Sequence, residues 1–340
     1  MEQMMHPSNL AFFALAIAFV VRIRNAIRVP TARHTWLASG VGAVALLCCG
    51  TLISIPVLDG WLGGTNFLSL LQNVAAAVAF WLVAQAVVTQ GHYPLHKLFR
   101  WPLYVGVFSF VIPFFLIERG ATTQDFMLER SDQLAGFLYS CLYLALIAGI
   151  CVYLIAKIWR SGAQSFATMH LGGAFVSVGC VLQILALASI CFNWLPEGVS
   201  RPVYTFALTS FSGGVVLMAG NMAGLALLRL RSTSRVKHSI KSVESILRRK
   251  DLEVPARPAM TTTWLNGETA LNHLYRSVIA VNDHVQADGS SLNNDEKKRV
   301  ERASHLVSRK MFTKPRKARA RLPRWELNII EWAAKGSKSN

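Results

Sequence analysis

The sequence predicts an all-α protein, an integral membrane bundle of seven transmembrane helices over residues 1–229 followed by a small, basic, helical cytoplasmic domain over residues 230–340. Three observations lead there. The mean hydropathy is +0.37, with 53% hydrophobic and only 16% charged residues, an unfavourable balance for a water-soluble chain of net charge +17. Charge is segregated, since roughly two thirds of all Lys and Arg lie from Arg229 onward. Apolar runs near the ~20 residues that cross a bilayer core recur along the first part, and the loops between them alternate in sign.

The runs fall near 5–24, 36–57, 67–90, 101–117, 134–158, 166–192 and 203–228. The first is short before Arg22 and spans if MMHPSN enters the interface and Arg22 and Arg24 snorkel. A cleaved leader is the rival reading, but Glu2 precedes the apolar run and Arg22, Arg24 and Arg28 follow it, so a true span with an outside N-terminus is expected. The fourth is also short and carries Pro113, which should kink it.

Orientation follows from the loops. Arg22, Arg24, Arg28 and Arg33, then Lys97 and Arg100, then Lys157 and Arg160 occupy one set. Asp59, then Glu118, Asp125, Glu129 and Asp132, then Glu197 occupy the other. Arg119, Arg130 and Arg201 are exceptions, yet the alternation is in register with seven spans. Lys and Arg favour cytoplasmic loops, so the expected location is the cell membrane, multi-pass, with the N-terminus outside and the tail cytoplasmic. Trp36, Trp101 and Trp159 sit at inner ends and Trp61 and Trp194 at outer ends, where interfacial anchors belong.

No Asp, Glu, Lys or Arg lies in the middle of a span, which counts against a proton-driven carrier and leaves a passive or substrate-only one open. Neutral polar groups remain, and the candidates for lining a ligand site or path are Asn73, Gln85, Tyr139, Tyr143, His170, Gln183 and Asn221. Tyr139 and Tyr143, one helical turn apart, could line a pocket or simply bond to a neighbouring helix. The small-xxx-small segment GNMAG, Gly220 to Gly224, is a helix-packing signal within or between subunits, so a homo-oligomer is one expectation.

Cys48, Cys49, Cys141, Cys151, Cys180 and Cys191 all fall inside the runs without CxxC pairing and are expected as buried free thiols. His92 and His96 have i, i+4 spacing, but Pro94 between them spoils the geometry of a metal site. No metal or cofactor is expected. The chain has no HExxH, GxSxG, P-loop or dinucleotide fingerprint, and the spans offer no carboxylates for acid–base work, so an enzyme is not expected.

The tail begins with a basic helix, SIKSVESILRRK, continuing from the seventh run, and Pro255 and Pro258 then break the pattern. Leu271, Leu274, Val278, Val281 and Val285 make one apolar stripe on a second helix. A third opens at Asn294 and runs to about Met311, with Val300, Ala303, Leu306 and Val307 on its apolar side. Beyond it, Lys314, Arg316, Lys317, Arg319, Arg321 and Arg324 crowd into TKPRKARARLPRW, with Trp325 and Trp332 flanking. On the cytoplasmic side of a membrane protein such a segment suits anionic lipid, at about 1 kcal/mol per basic residue near the surface, better than nucleic acid.

GGTNFLSLLQNVAAAVAFWLVAQA, ERSDQLAGFLYSCLYLALIAG and HLYRSVIAVNDHV together resemble an actinobacterial family of seven-span membrane proteins with a cytoplasmic C-terminal domain of unknown function, labelled as transporters. The likeness runs from about Gly63 through Val285. It matches Asn73 in the third span, Arg130 with Ser131 before the fifth, and Tyr275 with Arg276 in the tail helix, and it implies no catalytic role for them. Two functions follow: a receptor or scaffold that couples the bundle to a cytoplasmic protein partner through the basic tail, or a small-molecule transporter. The absence of an internal repeat and of charge in the spans favours the first.

Overall fold

In a computed structural model of the chain, the described residues are 7–28, 32–90, 101–161, 167–194, 196–250, 252, 267–288 and 292–312. They are all-helical, without a strand among them. The chain divides into two compact units, Met1–Leu227 and Leu228–Asn340. His92, His96, Pro255, Pro258 and the polybasic segment with Lys314, Arg316, Lys317, Arg319, Arg321, Arg324, Trp325 and Trp332 lie outside the described residues.

The first unit contains α1 (Pro7–Arg28), α2 (Arg33–Cys48), α3 (Ile55–Gly60), α4 (Phe67–Gln90), α5 (Trp101–Leu116), α6 (Phe126–Glu129), α7 (Leu134–Ser161), α8 (Ala167–Phe192) and the N-terminal part of α9 (Glu197–Arg249). Among the described residues α4, α7, α8 and α9 are long and apolar enough to cross a membrane, which is the build of an integral membrane protein. The apolar stretches of α1 and α5, Asn9–Ile23 and Trp101–Leu116, are shorter. The second apolar run does not continue to residue 57 as its composition suggests: α2 stops at Cys48, the chain turns through Gly50 at φ +78°, and Pro56 sits in the first turn of the separate α3. The left-handed glycine ends one helix, and proline, whose missing N–H is no loss in a first turn, starts the next.

α7 sits at the centre of the unit, packing on α4, α5 and α8, while α2 packs on α1 and α4. Its buried residues Tyr139, Tyr143, Ile147, Ile150, Leu154 and Ile158 recur at three- and four-residue steps and form one side of the core. An aromatic cluster fills the space around Tyr139, with Phe110, Phe114 and Phe126 at 5.3–6.1 Å between ring centroids. The outward faces carry exposed large apolar residues such as Val105, Phe108, Val178 and Phe206, and Trp61, Trp101, Trp159 and Trp194 are exposed. Trp36 differs: it is half-buried and stacks on Phe19 at 4.9 Å, so it packs α2 against α1 instead of standing free as an anchor.

α8 and α9 approach most closely through glycines. A Cβ on Gly214 would lie 2.6 Å from the Gly172 carbonyl oxygen and 2.7 Å from the Val176 nitrogen, and one on Gly179 would lie 2.7 Å from the Phe211 nitrogen. Ser210 Oγ donates to the Phe175 carbonyl at 3.1 Å and Ser189 Oγ to Ser200 Oγ at 2.8 Å along the same seam. By contrast, nothing lies within 4 Å of a Cβ on Gly220 or Gly224. The GNMAG spacing therefore does not serve packing among the described residues of this chain.

The second unit contains the C-terminal part of α9, α10 (Gly267–Asp288) and α11 (Asn294–Phe312). Its core joins Val236, Ile240, Val243 and Leu247 of α9 to Leu271, Leu274, Val278 and Val281 of α10 and Val300, Ala303 and Val307 of α11. These are the stripes the sequence shows, with Val285 and Leu306 packed partly against them.

The two sets of glycines should respond in opposite ways. Gly214→Ala is expected to destabilise the detergent-solubilised protein by about 1–3 kcal/mol through overpacking. Gly220→Ala, where space is open, should be neutral or stabilising by roughly 0.5–1 kcal/mol. Unfolding midpoints of the two variants check this.

Candidate functional site

Polar constellations and a cavity interrupt the apolar interior among the described residues. At the start of α4, Asp59 is fully buried and accepts hydrogen bonds from the backbone N–H of Asn66 at 2.7 Å and of Leu68 at 2.8 Å, and from Thr122 Oγ1 at 2.5 Å. Its carboxylate thus satisfies N–H groups that the first turn of α4 leaves without helical partners, and its charge complements the positive end of that helix. Asn66, at φ 62°, ties the same corner to the loop after α5: its Nδ2 donates to the carbonyls of Arg119 at 3.1 Å and Ala121 at 2.8 Å, and its Oδ1 accepts from Thr123 N–H at 2.9 Å. Asp59 is therefore a structural hub and not the solvated loop charge that its position in the alternation suggests.

Next along the chain, Ser131 is fully buried and its hydroxyl closes a turn on the Leu128 carbonyl at 2.7 Å. A Cβ on Gly136 would overlap the Arg130 carbonyl oxygen, so the chain before α7 folds tightly onto its first turn only because residue 136 is glycine. The buried Arg130 Nε has no hydrogen-bond partner, and the Arg119 guanidinium lies over the Phe114 ring at 5.3 Å.

Within the bundle, Asn73 and Tyr139 come together. Asn73 Nδ2 donates to Tyr139 Oη at 2.6 Å, and Tyr139 in turn donates to the Ser69 carbonyl at 3.2 Å, both side chains being buried between α4 and α7. Their polarity is directed at one another, so they brace two helices, and neither borders the cavity described below. Asn221 Nδ2 likewise donates to Thr168 Oγ1 at 2.7 Å, joining α9 to α8. Gln85 is buried on α4, and His170 is half-buried on α8. Gln183 is buried with Nε2 unpartnered, as is the Ser140 hydroxyl. Arg22 does not simply reach for the interface: its Nη2 donates to the Met222 carbonyl of α9 at 2.8 Å.

Of the seven predicted lining residues only Tyr143 borders the cavity, a space of about 110 Å³ framed by α1, α2, α4, α7 and α9. Gly42 and Ala45 of α2 and Ala76 and Ala79 of α4 leave the room, and Gln72 and Tyr143 are its main polar wall groups. It is smaller than the roughly 150 Å³ apolar cavity that takes up benzene, and far below the 300–1,000 Å³ of typical solute sites. Gln72, one residue from Asn73 and so turned to a different neighbour, is one of the neutral polar groups that the sequence places in the third span, and it borders the cavity where Asn73 does not.

In the second unit Glu244 of α9 and His273 of α10 are both buried, with Glu244 Oε1 and His273 Nε2 3.0 Å apart. Tyr275 is half-buried and Arg276 exposed on α10. The exposed residues of α9 here include Arg231, Arg235, Lys237, His238, Lys241 and Arg248, with Ser234 among them, while its one carboxylate, Glu244, is buried. Among the described residues no group of three His, Cys, Asp or Glu is placed to hold a metal ion.

Comparison with protein-family models, with curated proteins and with solved structures gives no match.

Two predictions follow from these pairs. Tyr139→Phe should cost about 1–3 kcal/mol by stranding the Asn73 donor, and a double-mutant cycle with Asn73→Leu should return a coupling of roughly 0.6–1.7 kcal/mol. Glu244→Ala removes the carboxylate from the buried His273 and should destabilise the second unit by about 1–3 kcal/mol, against under ~0.5 kcal/mol for Glu301→Ala on the exposed face of α11. Amide exchange of α10 in the full-length protein reads the difference.

Proposed function

We propose that this chain is a seven-span cell-membrane protein, with α1, α2 and α5 completing the spans, its N-terminus outside and its basic module cytoplasmic. In this reading it acts as a receptor or scaffold that couples the membrane bundle to a cytoplasmic protein partner. The observation that carries the reading is how the bundle's polarity is used. Asn73 is committed to Tyr139, Asn221 to Thr168 and Ser189 to Ser200, which leaves little to solvate a polar substrate on its way across. The second unit offers what a receptor or scaffold needs, a folded helical module whose α9 face is rich in exposed cations and suited to an acidic protein surface. The polybasic segment after Met311 adds attraction to anionic lipid, and the open Gly220–Gly224 face of α9 is available to a second copy.

A small-molecule transporter is the second reading. It is favoured by the cavity beside Tyr143 and Gln72, and it agrees with the transport label of the family that the sequence resembles.

One paired experiment separates them. Affinity purification of the full-length protein from solubilised membranes should recover a stoichiometric acidic cytoplasmic protein, lost on Arg235→Glu with Lys241→Glu. Purified protein in liposomes should pass no solute saturably. Saturable flux without a partner would overturn the receptor reading in favour of the carrier.

A further inference from the structure

We propose that the cavity framed by α1, α2, α4, α7 and α9 holds the end of a lipid hydrocarbon chain. Its room comes from small side chains on two facing helices, Gly42 and Ala45 against Ala76 and Ala79, and not from a ring of polar groups. An interior closed by such residues would normally collapse onto them, since protein cores pack without voids larger than a water. Here the helices already meet beside the space: a Cβ on Gly40 would lie 2.7 Å from the Phe19 ring, and one on Gly42 2.9 Å from Leu15 and 3.6 Å from the Ala79 Cβ, so α1, α2 and α4 are in contact at these glycines and have little room to close further.

The chemistry of the wall selects the occupant. Water is a poor one, because a stable buried water needs two to four polar partners and Gln72 and Tyr143 are the main groups on offer. A charged or strongly polar solute would be stranded for the same reason. Met218 and Met222 supply flexible, polarisable surface that adapts to a chain of variable shape. The volume of about 110 Å³ admits a short stretch of chain and not a whole amphiphile.

The outer faces of the framing helices name the source. Phe13 and Ile17 of α1, Val44 of α2 and Leu71 of α4 are exposed apolar residues, so the medium outside the cavity is hydrocarbon. Moving a chain from that medium into the cavity gains nothing from the hydrophobic effect, because lipid tails are as apolar as the wall. What it gains is dispersion contact with wall atoms that otherwise face a void. Shape therefore decides occupancy, and filling the space with protein should displace the chain.

The inference rests on the membrane placement of the first unit and is independent of the tail's partner, so failure of the affinity purification leaves it standing. The test is photolabelling of the full-length protein in phospholipid nanodiscs with two probes, hexadecanoic acid and geranylgeraniol, each bearing a terminal diazirine. Peptides holding Ala45, Ala79 and Met218 should be labelled, and excess unlabelled chain should reduce this at least about fivefold in the unaltered protein. Ala76→Phe and, separately, Val215→Trp should lower it to the same extent, while labelling at Phe108 and Val178 on the outer faces stays unchanged. Preference for one probe assigns a fatty-acyl or a prenyl source. Labelling that is spread evenly over outer faces, resists competition and ignores both substitutions would overturn the proposal.

Discussion

A helix in hydrocarbon has no water to satisfy its polar groups, and that constraint organises the first unit from its ends inward. The first turn of α4 would leave its N–H groups without partners, and Asp59 answers this from outside the helix, with Asn66 N–H and Leu68 N–H both on one carboxylate. Because Thr122 joins the same carboxylate and Asn66 holds three backbone groups of the loop after α5, the cap of one helix also fixes the path of the chain between two others. A buried charge is tolerable there only because its oxygens accept three hydrogen bonds and sit at the positive end of a helix.

Deeper in, the same constraint is met in two ways. Some polar side chains close on each other, as Asn73 does with Tyr139 and Asn221 with Thr168, and these pairs fix how the helices are rotated as well as how near they lie. Elsewhere polarity is replaced by absence of bulk: Gly172, Gly179 and Gly214 bring the backbones of α8 and α9 into contact. Small residues serve a different end on α2 and α4, where Gly42, Ala45, Ala76 and Ala79 leave a cavity of about 110 Å³. Wall atoms facing that space lack the dispersion contacts that packed neighbours supply, which is a reason for something to occupy it.

How much of this was legible in the sequence depends on the range of the interaction. The helices of the tail module were, because the stripe Leu271, Leu274, Val278 and Val281 is a local pattern and burial follows it. So were α4, α7 and α8, whose composition and length are set within one segment. The break after Cys48 was visible only as Gly50 and Pro56 inside an apolar run, and apolar composition outweighed two turn residues. Pairings across sequence were not legible. Nothing near Glu244 points to His273, and Asn73 looked as able to face a ligand as to face Tyr139. GNMAG was read for its spacing, yet spacing does not say which face of a helix meets a neighbour. The cavity was hidden for the same reason, since alanines on α2 and α4 leave room only once those helices are set beside each other.

The exposed face of α9 changes character part-way along a single helix. Among its exposed positions Phe206, Leu208, Leu227, Leu228 and Leu230 are apolar, and from Arg231 they turn basic, with Arg235, Lys237, His238, Lys241 and Arg248. Among the buried positions Ala226, Val236, Ile240 and Val243 continue an apolar stripe through the same stretch, with Glu244 a buried carboxylate beside them. A water-soluble helix would show charge on its exposed face throughout, and a purely lipid-embedded one would show none. The exposed face of α9 changes over the stretch from Leu227 to Arg235, while the helix runs from Glu197 to Arg249. The exposed side chains change there while the helix itself does not. For the same reason the division between the two units falls inside a helix, between Leu227 and Leu228, where a linker would otherwise be expected.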